Sequence, residues 1–128
     1  MKSFSKTNNQ YARAINSIPL ASQTFSKSAM NFVRGATPLF LDRGEGCHVW
    51  DIDGHQYIDY VLGLLPIILG YKDPDVDDSI REQLARGISF SLATTLETDL
   101  AERLIELIPC AEMVRYGKNG SDVTSAAI

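Results

Sequence analysis

The sequence is short of the residues that mark secreted, metal-binding or membrane proteins. Its 128 residues include two cysteines, Cys47 and Cys110, which stand far apart without the spacing of a metal site. No segment reaches the run of about 18 apolar residues that a membrane span needs, and the polar segment 1–10 lacks the apolar centre of a secretory signal. We therefore expect two free thiols, no membrane partner and a cytoplasmic location.

Positive charge is also scarce. Lysine and arginine together number 12 against 16 aspartates and glutamates, which gives a net charge of −4. Because domains that bind nucleic acid usually present a basic face, this balance argues against a nucleic-acid partner. The remaining composition, 45% apolar and 22% charged, is typical of a globular domain with a core.

The clearest β signal lies between residues 37 and 60. Three β-rich runs follow one another, at 39–41, 47–52 and 55–60, with a turn predicted at 44–46. The pair Asp53-Gly54 between the last two runs predicts a type I′ hairpin with a two-residue loop. That loop would place Trp50 opposite Tyr57, and the whole segment is predicted to be a three-stranded antiparallel meander.

The two histidines raise the question of a metal site. In the predicted register His48 lies opposite Asp59, and His55 lies four residues further along the ladder. At ~3.3 Å per residue the two imidazoles would be on the order of 13 Å apart, too far for one ion. We therefore predict no metal site and interpret Asp51, Asp53 and Asp59 as turn and surface residues.

Helical patterns flank the meander. A loose apolar pattern predicts a first helix over 7–18. Residues 61–70 are apolar but interrupted by glycine and proline, and are expected to form a buried, irregular connection. Asp73-Pro74 then predicts the start of a second helix, which Gly87 ends.

A third helix is predicted from the spacing of Thr94 and Glu97, which is that of a capping box. Its buried face is expected to hold five apolar residues, namely Leu96, Leu100, Leu104, Ile105 and Ile108. After the meander the order is helix, helix, strand, helix, which indicates the start of an α/β domain.

The last stretch, 113–128, predicts a short strand, a tight turn and the beginning of a helix. Gly120 lacks a Cβ and tolerates positive φ, so the backbone can come close to a ligand there. Ser121 is predicted to be the N-cap of the helix, beside free N–H groups that attract anions, most often phosphate. The alternative is that this turn only caps the helix.

The residues of this turn also bear on two other kinds of chemistry, nucleotide binding and covalent catalysis. A Walker A loop is excluded because Glu112 stands where its first glycine should be, and the glycines do not complete a dinucleotide fingerprint. Lys118 beside a phosphate cup could act as a Schiff-base nucleophile, but the favoured interpretation is a solvated lysine or a simple positive charge.

A set of short stretches, taken in order, carries a resemblance to a known family: 46–54, 57–60, 66–70, 73–76, 87–90, 96–97, 100–102, 113–116 and 119–122. Together they resemble the N-terminal part of class III, pyridoxal-phosphate-dependent aminotransferases, in the branch that includes glutamate-1-semialdehyde aminomutase. The resemblance covers residues 18–128.

The resemblance implies an α/β fold in two parts. Residues 1–70 would form an N-terminal segment with the antiparallel meander, and 71–128 the first helices and strand of a fold type I pyridoxal-phosphate transferase large domain. The intact enzyme would be a homodimer acting on a small-molecule amino donor and acceptor.

The resemblance also implies site residues. The cofactor, pyridoxal 5′-phosphate, would be held through its phosphate by Asn119, Gly120 and Ser121. Leu64 and Leu65 match a loop that approaches the substrate in relatives.

Two departures from the family pattern matter. The segment 23–28 lacks the arginine that grips the substrate carboxylate in the aminomutase, and Leu64-Leu65 replaces its tryptophan-glycine pair. An aminotransferase with another substrate is therefore at least as well supported as the mutase. No lysine matches the motif of the Schiff-base lysine; the candidates are Lys2, Lys6, Lys27, Lys72 and Lys118.

We accordingly assign no catalytic residue and expect the chain alone not to transaminate. The intact relative would transfer an amino group through a lysine-bound aldimine, with the cofactor carrying the chemistry. The alternatives are a truncated, non-catalytic product or assembly partner, and a small phosphate-binding module.

Overall fold

The computed structural model describes residues 2–128. Its helices and strands, in chain order, are α1 (Ser5–Ala14), β1 (Leu41–Glu45), β2 (His48–Asp51), β3 (Gln56–Ile58), α2 (Pro74–Arg86), α3 (Thr95–Leu107) and α4 (Gly120–Ala127). Contacts divide the chain into two compact units, one ending at Glu82 and the other comprising Gln83–Ile128. Across the described residues, no helix is both long enough and apolar enough to cross a membrane.

The three strands form one antiparallel sheet in the order β1-β2-β3, so the predicted meander is confirmed. Its first strand starts later than predicted and runs through the predicted turn. Gly44 pairs with Val49 and Glu45 with His48, which extends the ladder to Glu45. The predicted turn at 44–46 was therefore wrong, and the chain reverses between Glu45 and His48 instead.

The register of the second hairpin differs by one residue from the predicted one. The observed pairs are His48 with Ile58, Val49 with Tyr57, and Trp50 with Gln56. The Gly54 N–H donates to the Asp51 carbonyl at 2.9 Å, and only Gly54 in this loop has a positive φ, 93°. The loop thus has three residues and ends in a left-handed glycine, so the predicted type I′ turn was wrong.

A buried carboxylate explains this register. Asp51 is 1% exposed and accepts hydrogen bonds from the His55 N–H at 2.8 Å, His55 Nδ1 at 2.9 Å and the Tyr57 hydroxyl at 2.9 Å. A slip of one residue would move Tyr57 to the opposite face of the sheet and remove its bond to Asp51. The interpretation of Asp51 as a surface residue was wrong, and so were the predicted pairs of Trp50 with Tyr57 and of His48 with Asp59.

The helix boundaries in the middle of the chain follow their predicted caps. The Asp73 carboxylate accepts a hydrogen bond from the Val76 N–H at 3.1 Å, and Gly87, with a φ of 105°, follows α2. The Thr94 N–H donates to Glu97 Oε1 at 3.0 Å at the start of α3. Both predicted starts are confirmed, whereas α1 starts two residues and ends four residues earlier than the predicted 7–18.

Two predictions of buried or paired structure were wrong. Within the described residues 113–116 pair with no strand, because a strand needs a neighbouring backbone and the sheet is confined to the meander. The predicted buried face of α3 contains no buried residue; Leu96 is 52% exposed and Leu100 is 51% exposed. Among residues 2–128 the buried apolar core holds four residues: Phe4, Ala14, Ala21 and Val49.

Candidate functional site: the turn before the last helix and the loop after the meander

The turn predicted to hold phosphate is the N-terminus of α4. Asn119 is the N-cap in an extended conformation, with φ −122° and ψ 154°, and the helix begins at Gly120. Asp122 Oδ2 accepts hydrogen bonds from the Asn119 N–H at 3.2 Å and from Asn119 Nδ2 at 2.9 Å. The prediction of Ser121 as N-cap was wrong, because Asp122 reaches back to Asn119 in the manner of a capping box.

Gly120 and Ser121 occupy the first two helical positions, where N–H groups have no intrahelical partner. Within residues 2–128 nothing accepts a hydrogen bond from either N–H or from the Ser121 hydroxyl. The Asn119 N–H is already bonded to Asp122. The donors that remain for an anion are therefore those of Gly120 and Ser121.

The space beside Gly120 suits a close approach. A Cβ built at Gly120 would meet nothing within 4 Å, and its φ is not positive. Glycine is thus not required there by backbone conformation, contrary to the predicted use of positive φ. The missing side chain of Gly120 instead leaves room for an anion at the helix N-terminus. The free donors of Gly120 and Ser121 around this space are suited to a phosphate group.

Gly117 packs closely against α4, a role that the sequence analysis did not predict. A Cβ at this position would lie 2.4 Å from Val123 Cγ1, so a larger residue would force the Val123 side chain or the chain before the turn to shift. Gly117 therefore helps to set how the turn enters the helix. No local sequence signal distinguishes this glycine from one that serves a turn.

The loop predicted to approach a substrate follows β3 and is closed at its base. The Tyr71 hydroxyl donates to Asp59 Oδ2 at 2.7 Å, while Asp59 Oδ1 accepts from the N–H groups of Val61 at 2.8 Å and Leu62 at 3.2 Å. Residues Tyr71 and Gly46 exchange two backbone hydrogen bonds of 2.8 and 2.9 Å. One aspartate and one tyrosine therefore fix both ends of the loop.

The hydrogen bond between Asp59 and Tyr71 shifts the pKa values of the two residues in opposite directions. Partial desolvation works to raise the pKa of Asp59, but hydrogen bonds from Tyr71 and from backbone N–H groups outweigh it and lower the pKa below its ordinary value. Desolvation, with the hydrogen bond and charge of Asp59, raises the pKa of Tyr71 to about 12. The pair is therefore held as a carboxylate and a neutral phenol.

The loop is strained at the predicted substrate-side residues. Leu62, Gly63, Leu64 and Leu65 have consecutive positive φ values of 52°, 59°, 70° and 83°. A non-glycine residue in this region costs about 1–3 kcal/mol and persists only where its surroundings impose it, often at functional sites. Leu64 is 54% and Leu65 71% exposed, so the predicted burial of this connection was wrong.

Comparison with known proteins identifies the relatives. The sequence model of the family described as Aminotransferase class-III matches residues 30–128. Glutamate-1-semialdehyde 2,1-aminomutase of Chloroflexus aggregans is 45% identical over 94 residues, which are 73% of this chain and 22% of that protein. The 3-aminobutyryl-CoA aminotransferase of Cloacimonas acidaminovorans is 44% identical over 99 residues, 77% of this chain and 24% of that protein.

Solved structures similar to this chain belong to the same group of enzymes as the sequence relatives. An omega-transaminase from Sphaerobacter thermophilus matches with a TM-score of 0.85 and 29% identity, over 95% of this chain and 27% of its own. The pyridoxal-phosphate internal aldimine form of the Sphingopyxis FumI protein matches with a TM-score of 0.88 and 28% identity, over 96% and 29%. The chain thus spans about a quarter of the length of these relatives.

These matches confirm the predicted resemblance and the predicted fold class, of which the chain provides only a part. Solved relatives include forms bound to pyridoxal phosphate, as expected for the family's cofactor. Aminomutases and aminotransferases both occur among the relatives.

Proposed function

The chain belongs to the class III aminotransferase family, and from that membership we propose that it is the N-terminal part of a pyridoxal-phosphate-dependent aminotransferase or aminomutase. The observation that supports this is the α4 N-terminus, where two free N–H groups and a hydroxyl surround an open space at Gly120. When bound, the cofactor supplies the electron sink for moving an amino group. The part of this chain is to bind and orient the cofactor phosphate.

The residues divide this task between them. The N–H groups of Gly120 and Ser121 and the Ser121 hydroxyl donate to phosphate oxygens, and the positive end of the α4 dipole adds to the attraction. Asn119, whose own N–H is held by Asp122, sets the direction in which those donors point. Lys118 is exposed and contributes a diffuse positive charge only.

The substrate side is proposed to lie at the loop after β3. Leu64 and Leu65 present apolar side chains there in a backbone held by Asp59 and Tyr71. The small-molecule amino donor and acceptor, and the homodimer, belong to the intact enzyme. We assign the covalent role to none of the lysines of this chain, so the transfer of an amino group requires the remainder of that enzyme.

The phosphate role is tested by titrating isotope-labelled chain with pyridoxal phosphate and, separately, with inorganic phosphate. We expect the amide signals of Gly120 and Ser121 to move with both ligands. Gly120→Ala should abolish these shifts without unfolding α4, because its Cβ meets nothing in the free chain. Ser121→Ala should weaken binding about tenfold through loss of one charge-assisted hydrogen bond.

The matched control is Ser125→Ala, on the same helix but away from its N-terminus, which should leave both titrations unchanged. Shifts that persist undiminished in Gly120→Ala would contradict the proposed phosphate turn. An absorbance band of a lysine adduct that disappears in Lys118→Ala would instead show that a lysine of this chain reacts with the cofactor.

A further inference from the structure

The N-terminus of α1 is capped from far along the chain. Asp53 Oδ1 accepts a hydrogen bond from the Lys6 N–H at 2.8 Å, and Asp53 Oδ2 accepts from the Thr7 N–H at 2.9 Å and the Thr7 hydroxyl at 2.6 Å. The residue before the helix, Phe4, makes no side-chain cap. One carboxylate in the β2–β3 loop therefore satisfies the first turn of a helix that lies 46 residues earlier.

This first turn and the residues before it lie against a polar cluster whose central carboxylate, Asp51, is buried. Phe4 packs edge-on against the His55 ring with centroids 5.4 Å apart, and the Lys2 ammonium lies 3.8 Å from the centre of the Tyr57 ring. His55 and Tyr57 are the two side chains that bond to the buried carboxylate of Asp51. The start of the chain thus closes over the Asp51–His55–Tyr57 cluster.

Beyond that turn the attachment of α1 rests on one core residue, Ala14, and on one stacking contact. Within α1 the buried residues are Thr7 and Ala14, and the Arg34 guanidinium stacks on Tyr11 at 4.4 Å. Segments with few buried contacts open locally at a lower free energy than the sheet they rest on. The hydrogen bonds of Asp53 are the most concentrated attachment, since a charged acceptor forms stronger bonds and also favours the positive end of the helix dipole.

We propose that residues 2–14 form a lid over the Asp51–His55–Tyr57 cluster, latched by Asp53, which opens while the sheet stays folded. The hydrogen bonds of Asp51 lie within the hairpin, whereas those of Asp53 join the hairpin to α1. The bonds of Asp53 can therefore break while those of Asp51 remain. Opening the lid increases the solvent exposure of His55, whose side chain is 22% exposed when the lid is closed, and of the half-buried Tyr57. This opening is a conformational change of residues 2–14 and does not depend on the proposed phosphate turn.

Asp53→Asn in the 128-residue chain tests the latch. An amide offers one acceptor oxygen in place of two, so at least one of the three bonds is lost. We expect the amide protons of Lys6, Thr7 and Asn8 to exchange about fivefold to tenfold faster with solvent than in the parent chain. The His55 imidazole signal should also lose the ring-current shift caused by Phe4.

His48 is an internal reference for the His55 signal, because it lies in β2 of the same sheet. His48 and the amides of β2 should be unchanged in Asp53→Asn. Thr7→Val, which removes only the hydroxyl bond, should accelerate exchange at the same three amides by a smaller factor. Asp42→Asn, the same change of charge on an exposed residue of β1, is the matched control and should alter neither signal.

Unchanged exchange and an unchanged His55 signal in Asp53→Asn would overturn the latch. An equal change at His48 and His55 would overturn the independence of the lid, because the sheet would then open with it. Loss of the folded state in Asp53→Asn with normal behaviour of Thr7→Val would likewise contradict a separate lid.

Discussion

The Tyr71 hydroxyl and the Asp59 carboxylate lie 2.7 Å apart and close a loop that contains four consecutive residues in the left-handed region. The other oxygen of Asp59 binds two N–H groups at the start of that loop. The hydrogen bonds of this pair help to offset the conformational cost at Leu64 and Leu65. Because Leu64 and Leu65 are 54% and 71% exposed, the loop is fixed chiefly through the hydrogen bonds at its base.

Removing the Tyr71 hydroxyl tests this closure. Tyr71→Phe should lower the free energy of unfolding by about 1–2 kcal/mol, because a partly buried carboxylate loses a hydrogen bond. The measurement is urea unfolding at neutral pH. Tyr60→Phe is the matched control: Tyr60 is 87% exposed, and its substitution should change the unfolding free energy little.

Two of the tyrosines should ionise late. Of the five in the chain, Tyr57 and Tyr71 have their pKa raised to about 12, in both cases first by desolvation and then by an aspartate that accepts from the hydroxyl. Their contribution to stability is complete below an unfolded-state pKa of about 10 and is lost as pH rises toward 12. Phenolate absorbance should show a late rise from these two tyrosines as pH approaches 12, and Tyr57→Phe should halve its amplitude.

Acid should destabilise the meander through its aspartates. Desolvation works to raise the pKa of Asp51, but hydrogen bonds from His55 and Tyr57 outweigh it, so the folded-state pKa is lowered. The pKa of Asp59 is lowered in the same way, by hydrogen bonds from Tyr71 and from backbone N–H groups. Their stabilisation is present above the unfolded-state pKa of about 3.9 and is lost as pH falls through the lower folded value.

Urea unfolding at a series of pH values from neutral downward measures this loss. Asp51→Asn should be less stable at neutral pH by about 2–3 kcal/mol, since it leaves buried donors without their charged acceptor. The same variant should show a shallower decline toward acid pH than the parent chain. An unchanged acid dependence would contradict the role of Asp51.

Two glycines should respond oppositely to alanine. A Cβ at Gly44 would lie 2.4 Å from Cγ of the Tyr71 ring, so Gly44→Ala must displace that ring at a cost of about 1–3 kcal/mol. A Cβ at Gly120 meets nothing, and alanine suits the first turn of α4, so Gly120→Ala should be neutral or slightly stabilising. Comparing their thermal midpoints in the absence of ligand measures the difference.

The features that could be predicted from sequence are those decided within a few residues. Asp73 and Val76, and Thr94 and Glu97, stand three residues apart, and both pairs form the expected caps. The cap of α4 obeys the same local rule, because Asn119 and Asp122 have the spacing of a capping box, which the prediction of Ser121 as N-cap overlooked.

The features that could not be predicted depend on contacts that a local pattern does not contain. Asp53-Gly54 located the hairpin turn, but the three bonds of Asp51 chose a three-residue loop over a two-residue one. The capping of α1 by Asp53 joins residues 46 and 47 apart in the chain. The predicted strand over 113–116 failed because pairing depends on a neighbouring strand, which propensity does not supply.

The capping of α1 also has a consequence for the order of folding. Asp51 meets His55 across four residues, Asp59 meets Tyr71 across twelve, and Asp53 meets Thr7 across 46. Closing a longer loop costs more entropy and slows the contact. Of these three contacts we therefore expect the docking of α1 on Asp53 to form last, since α1 must wait for its cap until the hairpin has been synthesised.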